Sequence, residues 1–154
     1  MVMSNDRILD RFLRAQDRLV FQASDLSLGT IAEMVKREAI DVNPSYQRRE
    51  RWPLQKQSAL IESFLLNVPV PPIYLAEDDF GRYSVVDGKQ RIMSVFAFID
   101  DQLSLTGLET FTEIEGLKFS QLPQDMQNAL EVRPYLRVIT LLKQSDPSLK
   151  FEWT

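Results

Sequence analysis

The stretch 83–98, with the sequence YSVVDGKQRIMSVFAF, constrains the fold more than any other part of the chain. It predicts a short β-branched strand, an Asp-Gly turn and a helix that is apolar on most sides, as is typical of a buried central helix. A helix amino terminus carries unpaired backbone N–H groups and a partial positive charge, so it favours anions. Here Lys89, Gln90 and Arg91 occupy the first turn, where acidic residues would stabilise the helix better. The stretch therefore predicts a site for a negatively charged ligand.

The composition excludes several kinds of chemistry. The 154 residues contain no Cys and no His, which removes disulfides, thiol nucleophiles, histidine acid–base catalysis and ordinary zinc sites. A net charge of −4 argues against a chain that is basic all over, but it is compatible with a local basic patch. No apolar run is long enough to span a membrane, and the amino terminus lacks the pattern of a signal peptide. These features predict a cytoplasmic protein of one globular domain.

A second polar cluster precedes the central helix, and it shows neither helical nor strand periodicity. Arginine forks onto phosphate and aromatic rings stack on bases, so this composition suits contact with phosphate, base or DNA. For Trp52, an equally good interpretation is an anchor that fixes the loop to the core. The candidate contact residues of the cluster are Tyr46, Gln47, Arg48, Arg49 and Arg51.

Asp87 has several possible roles, between which the sequence does not choose. An Asp directly before a helix is a good cap for the unpaired N–H groups. The same carboxylate beside a bound anion would orient an arginine, bind Mg²⁺ or position a water molecule. Gly88 would allow the backbone to approach a phosphate closely.

Periodicity and turn residues predict the remaining elements. An amphipathic helix over 5–20 is expected to pack on the main domain rather than to serve as a dimer arm. A helix over 30–39 is expected to begin with a Thr30–Glu33 capping box. The segment 103–105 is predicted to be a strand that pairs near Phe111. Further helices are predicted at 53–67, around 126–130 and after 147, and further strands at 40–42, 73–76, 83–86 and 134–142.

Four separated blocks of the sequence carry a family resemblance. The chain resembles the amino-terminal domain of GmrSD-type modification-dependent restriction endonucleases over residues 26–142. The blocks, in order, are PSYQR through Trp52, the helix segment LIES at 60–63, VPPIYL at 70–75 and VDGKQR at 86–91.

The resemblance implies an α+β fold similar to ParB and sulfiredoxin, with a small mixed sheet, surrounding helices and a nucleotide phosphate at a helix start. It divides the chain into a helical extension, 1–25, and a nucleotide-binding domain, 26–154, that is expected to be truncated at its carboxy-terminal end. It also implies a nucleotide-binding and NTP-hydrolysing sensor in a phage-defence system. Its partners would be a nucleotide with Mg²⁺, DNA, a separate nuclease domain and a second copy in a homodimer.

By this resemblance, Asp87 and Arg91 are the candidate catalytic residues, with Asp87 also the candidate Mg²⁺ ligand. The phosphate-binding candidates are Gly88, Lys89, Gln90, Arg91 and Arg48. The chain has Lys89 where the family usually has Gln, which adds a cation and leaves hydrolysis open. Without His, the chain alone is not expected to cut DNA. The alternative hypothesis is a DNA-binding or regulatory module that has lost NTP turnover.

Overall fold

The computed structural model describes residues 4–16, 20–42, 51–79 and 81–143. This part of the chain has an α+β fold, as predicted, and none of its helices has the length and apolar character needed to cross a membrane. The helices are α1 Asn5–Gln16, α2 Leu28–Lys36, α3 Leu54–Leu65, α4 Lys89–Ile99 and α5 Gln124–Val132. The strands are β1 Phe21–Ser27, β2 Ile40–Asp41, β3 Ile73–Asp79, β4 Arg82–Asp87 and β5 Tyr135–Leu141, and two 3-10 turns lie at Thr112–Ile114 and Phe119–Gln121.

The five strands form one mixed sheet with the order β1-β5-β3-β4-β2. Neighbouring pairs alternate in direction: β1–β5 and β3–β4 are antiparallel, whereas β5–β3 and β4–β2 are parallel. Strand β5, the longest β-branched run predicted, pairs on both sides and buries Leu136 and Val138. The sheet therefore places the start of β3 beside the middle of β5, where Ile73 lies opposite Val138.

Helix α4 is central, as its apolar surface predicted. It contacts α2, α3 and β3, and its side chains Ile92, Val95 and Phe98 are fully buried. The Phe98 ring meets Phe119 edge-on, with 5.3 Å between centroids and 73° between the ring planes. The buried side chains hold α4 in the core, and its polar residues Lys89, Gln90 and Arg91 lie in its first turn.

Helix α2 begins earlier than predicted, and the Thr30–Glu33 capping box is wrong. The cap is Ser27, whose extended backbone places its Oγ 3.2 Å from the donating Thr30 N–H. The next residue, Leu28, is fully buried. Its packing in the core stabilises a helix that begins at Leu28 rather than at Thr30.

Helix α3 is shorter than the predicted 53–67. Pro53 is its cap rather than its first residue, and the helix ends at Leu65. Asn67 takes the left-handed conformation, with φ at 58°, which ends the helix before the proline-rich connector to β3.

Helix α1 does not pack on the main domain, contrary to prediction. None of its residues is buried, and Ile8, Leu9, Phe12 and Leu13 are each more than half exposed. The predicted carboxy-terminal turn of this helix at 17–19, and the helix expected after 147, lie outside the described residues.

Two segments of extended or irregular chain differ from the sequence expectations. Strand β1 was not predicted, because its mixed sequence FQASDLS does not alternate clearly between polar and apolar residues. Pairing with β5 over seven residues stabilises this strand instead.

The predicted strand at 103–105 is irregular and does not pair near Phe111. Leu105 donates its N–H to the Leu117 carbonyl oxygen at 3.0 Å, and its own carbonyl accepts from Gly116.

The irregular stretch between α4 and α5 is held by side chains of α3. Glu62 is buried, and its carboxylate accepts backbone N–H groups from Glu109, Thr110 and Phe111 at 3.2, 2.9 and 2.7 Å. The bond from Phe111 in particular holds the pKa of Glu62 below its usual value, against the opposing effect of burial. One turn earlier, Ser58 Oγ accepts from Thr106 N–H at 3.0 Å. One helix thus supplies acceptors for several backbone N–H groups of a loop that has no regular ladder.

We expect Glu62→Gln to lower the free energy of unfolding at pH 7 by about 1–3 kcal/mol, because the charged acceptor of three backbone N–H groups is lost. The folded-state pKa of Glu62 is lowered, so this stabilisation is present above the ordinary pKa of 4.5 and disappears as the pH falls through the folded value. Urea denaturation at pH 7 and near pH 3 measures both parts. The exposed Glu113→Gln is the control. A Glu62→Gln deficit that is equal at the two pH values would contradict the assignment.

Candidate anion-binding site

Gly88 forms the turn between β4 and α4, and the position requires glycine. Its φ is 98°, in the left-handed region, and it is the amino-terminal cap residue of α4. A Cβ atom here would lie 2.5 Å from Ile73 Cγ2 and 3.1 Å from Arg91 Nη2. Both the conformation and the close contact with β3 therefore exclude a larger residue.

The start of α4 has no cap from a side chain of the described residues and no acidic residue in its first turn. Asp87, one residue before Gly88, ends β4 with a side chain that is 70% exposed, so the interpretation of Asp87 as the helix cap is wrong. The first turn instead carries Lys89 and Arg91, whose charges have the same sign as this end of the helix dipole. The side-chain cations and the helix dipole would both favour an anion bound here.

Arg91 is mostly buried beside this turn, with 16% of its side chain exposed. Its Nη2 donates to the Pro72 carbonyl oxygen at 2.8 Å and lies 3.8 Å from Asp87 Oδ2. Its Nε is buried and has no hydrogen-bond partner among the described residues. The guanidinium thus fixes the proline-rich connector against α4, while one of its donors stays unsatisfied.

The start of α3 lies next to the start of α4, and Trp52 joins them. Its backbone N–H donates to Gln90 Oε1 at 3.1 Å, and its carbonyl accepts from Gln57 Nε2 at 2.8 Å. The half-buried Trp52 ring packs against the core, which confirms its interpretation as an anchor. Lys56 Nζ lies 4.5 Å from the centre of the ring.

Two helix amino termini therefore converge at one place. Like α4, α3 begins without a side-chain cap from the described residues and without an acid in its first turn, which contains Lys56 instead. The first turns of the two helices contain the side-chain cations Lys56, Lys89 and Arg91 in addition to the partial positive charge of each helix start. Such an arrangement is suited to an anion with more than one charge.

The structure brings together one of the two predicted clusters. Asp87, Gly88, Lys89, Gln90 and Arg91 surround the start of α4, and the exposed Arg51 precedes Trp52 beside it. The other candidates, Tyr46, Gln47, Arg48 and Arg49, lie outside the described residues. Gln90 offers its side-chain oxygen to Trp52, which the sequence did not indicate.

Among the described residues, the predicted Mg²⁺ ligand Asp87 is not part of a preformed metal site. Within the described ranges, no group of three or more acidic side chains is arranged to hold a metal ion. Asp87 would therefore supply one ligand, and phosphate oxygens and water would supply the others, as is common for Mg²⁺.

Sequence reasoning missed Gln57, which supports Trp52 at the site, and the neighbouring Ser58 and Glu62, which hold the loop before α5. All three are buried polar residues of α3. A signal for them was present, because positions 58 and 62 are four residues apart and share a face with the apolar Leu65. Polar residues on a buried helix face indicate specific hydrogen bonds to nearby backbone.

The fold and site define a small α+β domain whose candidate binding site lies where two helix starts meet. The chain belongs to the family described as GmrSD restriction endonuclease, N-terminal domain, whose sequence model matches residues 31–151, more than half of the chain. No curated protein and no solved structure matches it. The family resemblance is thereby confirmed, and it assigns the chain to a restriction system. The likeness to ParB and sulfiredoxin stays a prediction.

We expect Gly88→Ala to lower the free energy of unfolding by about 2–5 kcal/mol, since it combines left-handed strain with a clash against Ile73. Gly116→Ala is the matched control: Gly116 has a φ of 84° but no atom within 4 Å of an added Cβ. It should lose only the strain, about 1–2 kcal/mol. Chemical denaturation of both variants gives the difference. Equal losses would show that the contact with Ile73 does not restrict the position.

Proposed function

We propose that this domain binds a nucleoside triphosphate through its phosphates at the joined starts of α3 and α4, as the sensor of a DNA-modification-dependent restriction system. The observation that carries the proposal is the convergence of the two uncapped helix starts, joined through Trp52 and Gln90. A single phosphate would occupy one helix start, whereas a chain of phosphates can interact with both.

The residues at the two helix starts would contact the phosphates in different ways. Backbone N–H groups following Gly88 face the phosphates, and Lys89 and Lys56 supply positive charge from the two helices. Arg91 acts from beneath, because it is held by Pro72 and retains a buried donor at Nε. Each hydrogen bond from a charged donor to a phosphate oxygen would contribute about 1.5–3 kcal/mol.

Asp87 is the proposed group for hydrolysis. Its carboxylate is 70% exposed at the end of β4, beside the first turn of α4, and its pairing with Arg91 at 3.8 Å is loose. A carboxylate in that place would hold Mg²⁺ on the phosphates or orient the attacking water. The nuclease step would belong to a separate nuclease domain or partner protein, because this chain contains no His for such chemistry.

We expect Lys89→Gln to weaken the binding of nucleoside triphosphate with Mg²⁺ about tenfold, as one charge-assisted contact is lost. Titration calorimetry with ATP, GTP, CTP and UTP measures it. Lys36→Gln, in the last turn of α2, is the control and should leave affinity unchanged. Arg91→Ala should bind more weakly still. Absence of binding to all four nucleotides, or equal affinity of the Lys89 and Lys36 variants, would overturn the proposal.

A DNA-binding module is the second candidate function, favoured by the exposed Arg51 beside the same cluster of cations. Its affinity for duplex DNA would fall steeply with salt, with a slope set by the number of phosphates contacted. A gel shift that weakens with Arg51→Ala supports it, and one unaffected by Arg51→Ala counts against it. A sensor that binds nucleotide and DNA would satisfy both tests.

We expect Asp87→Asn to reduce NTP turnover by at least about 100-fold while binding changes only a few-fold, because the phosphates are held by other groups. Phosphate release measured beside calorimetry separates the two effects. Asp100→Asn, at the other end of α4, is the control. Turnover that survives Asp87→Asn would remove Asp87 from the reaction. If the unsubstituted protein binds nucleotide without turnover, the domain is a regulatory module.

A further inference from the structure

Gln57 is a polar residue in the core, and it lies too deep to be a direct contact of a ligand. It is only 5% exposed, and its Nε2 donates to the Trp52 carbonyl oxygen at 2.8 Å. Burying an amide costs free energy unless the amide is hydrogen-bonded, so this position serves a specific contact that an apolar side chain of similar size would not make. The contact fixes the residue through which the chain enters α3.

Gln57 holds both residues that precede α3. Pro53 has no N–H group to donate, and the helix begins without a side-chain cap from the described residues. The backbone N–H of Gln57 donates to the Pro53 carbonyl oxygen at 3.1 Å, and its side chain donates to the Trp52 carbonyl oxygen. The direction of the Trp52 peptide group therefore depends on the side chain of Gln57.

The backbone of Trp52 in turn sets the side-chain amide of Gln90. The Trp52 N–H donates to Gln90 Oε1 at 3.1 Å. Because an N–H group requires an acceptor, the amide oxygen faces Trp52 and the NH₂ group is directed away from it. Ser94 Oγ donates to the Gln90 carbonyl oxygen at 2.7 Å and so holds the backbone of the same residue. The amide is thus oriented with its donors, and not its acceptor, directed away from α3.

The ring of Trp52 sets a second polar group. The half-buried ring packs against the core, and Lys56 Nζ lies 4.5 Å from its centre. A cation over an aromatic face is attracted to the ring, so the position of the ring influences where the Lys56 charge lies. Trp52 therefore orients one polar group on each helix, Gln90 through its backbone and Lys56 through its ring.

We propose that Gln57 is a positioning residue of the phosphate site, which acts through Trp52 on Gln90 and Lys56 and does not contact the ligand. The inference rests on the proposed function, the binding of nucleoside triphosphate at the starts of α3 and α4. Without the Gln57 contact, the Trp52 peptide group would lose its fixed direction, and both polar groups would lose theirs. A misplacement of about 1 Å in such a group costs up to about 100-fold in activity.

Titration calorimetry of the full chain tests the proposal, with ATP, GTP, CTP and UTP as ligands in the presence of Mg²⁺ and inorganic triphosphate as the probe for the phosphates alone. Gln57→Leu has a side chain of similar size without a donor, and it should raise the Kd at least about fivefold, the loss expected of one hydrogen bond. Ser58→Ala is the matched control, because Ser58 is buried beside Gln57 but accepts from Thr106 N–H instead. This control should lower stability and leave the Kd unchanged.

Gln57→Glu provides a readout that a merely structural role would not give. Burial and the facing carbonyl oxygen both favour the protonated form, so the pKa of this carboxyl group should be raised. The protonated group donates to Trp52 as the amide does, whereas the ionised group repels the Trp52 carbonyl. The ratio of its Kd to that of the unsubstituted protein should therefore approach one at low pH and rise with pH. The ratio removes the contribution of the charged groups that both proteins share, namely Asp87 on β4, Lys89 and Arg91 on α4, and Lys56 on α3.

A double-mutant cycle tests the path through Trp52. Gln57→Leu and Gln90→Leu disturb the same series of contacts, so the double variant should lose less affinity than the product of the two single losses. Chemical denaturation checks that each variant is folded. If Gln57→Leu is not, the pH profile of Gln57→Glu decides.

Absence of binding by the unsubstituted protein would overturn the proposed function and this inference together. Three results would overturn the inference alone while the proposed function stands. These are a folded Gln57→Leu variant with unchanged affinity, a Kd ratio of Gln57→Glu that does not vary with pH, and losses that multiply fully in the double variant.

Discussion

The backbone of Trp52 holds together two helix ends that repel each other. Its N–H is bound to Gln90 on α4 and its carbonyl to Gln57 on α3, and its ring packs on the core. The interaction of a helix terminus with a neighbouring charge contributes about 0.3–1 kcal/mol. Two positive helix ends that also carry lysines therefore repel each other, which is unfavourable for folding. The hydrogen bonds and the buried ring offset that repulsion. A bound anion would remove it.

The position of α4 depends on a second contact, between Gly88 and the start of β3. Because Gly88 has no side chain, Ile73 can pack directly beneath the turn, which brings the first turn of α4 to the sheet. Arg91 then reaches Pro72 and fixes the connector that leads into β3. The predicted phosphate-binding arginine is thus also a structural residue. A loss of ligand affinity in an Arg91 variant therefore needs to be compared with that in a Lys89 variant, because Arg91 also fixes the connector.

Much of the fold and part of the site were accessible from the sequence. The Asp-Gly turn before an apolar helix, the hairpin of β3 and β4, and the long β5 carry strong local signals, and each is confirmed. The four family blocks identified the family. Strand β1 was missed because its residues FQASDLS have no local preference and depend on β5. The exposed stripe of α1 was misread as a core-facing side, because periodicity shows that a helix is amphipathic but not what covers it.

The binding geometry was less predictable, since it depends on partners that are distant in the sequence. Gln90 is 38 residues from Trp52, and Glu62 is 49 residues from Phe111. Neither distance leaves a periodic pattern, so only the packed chain shows that two helix starts meet. The side-chain oxygen of Gln90 is used in that contact, which fixes the orientation of its amide beside the start of α4.

Helix α3 connects the candidate site with the irregular chain that precedes α5. Its first turn reaches the start of α4 through Gln57, whose side chain donates to the Trp52 carbonyl oxygen, and through the Trp52 N–H, which donates to Gln90. Ser58 and Glu62, which follow on the same helix, accept backbone N–H groups from Thr106 and from 109–111. One helix therefore fixes both the start of α4 and a loop that has no regular ladder of its own, so the buried polar residues of α3 connect two regions that are distant in the sequence.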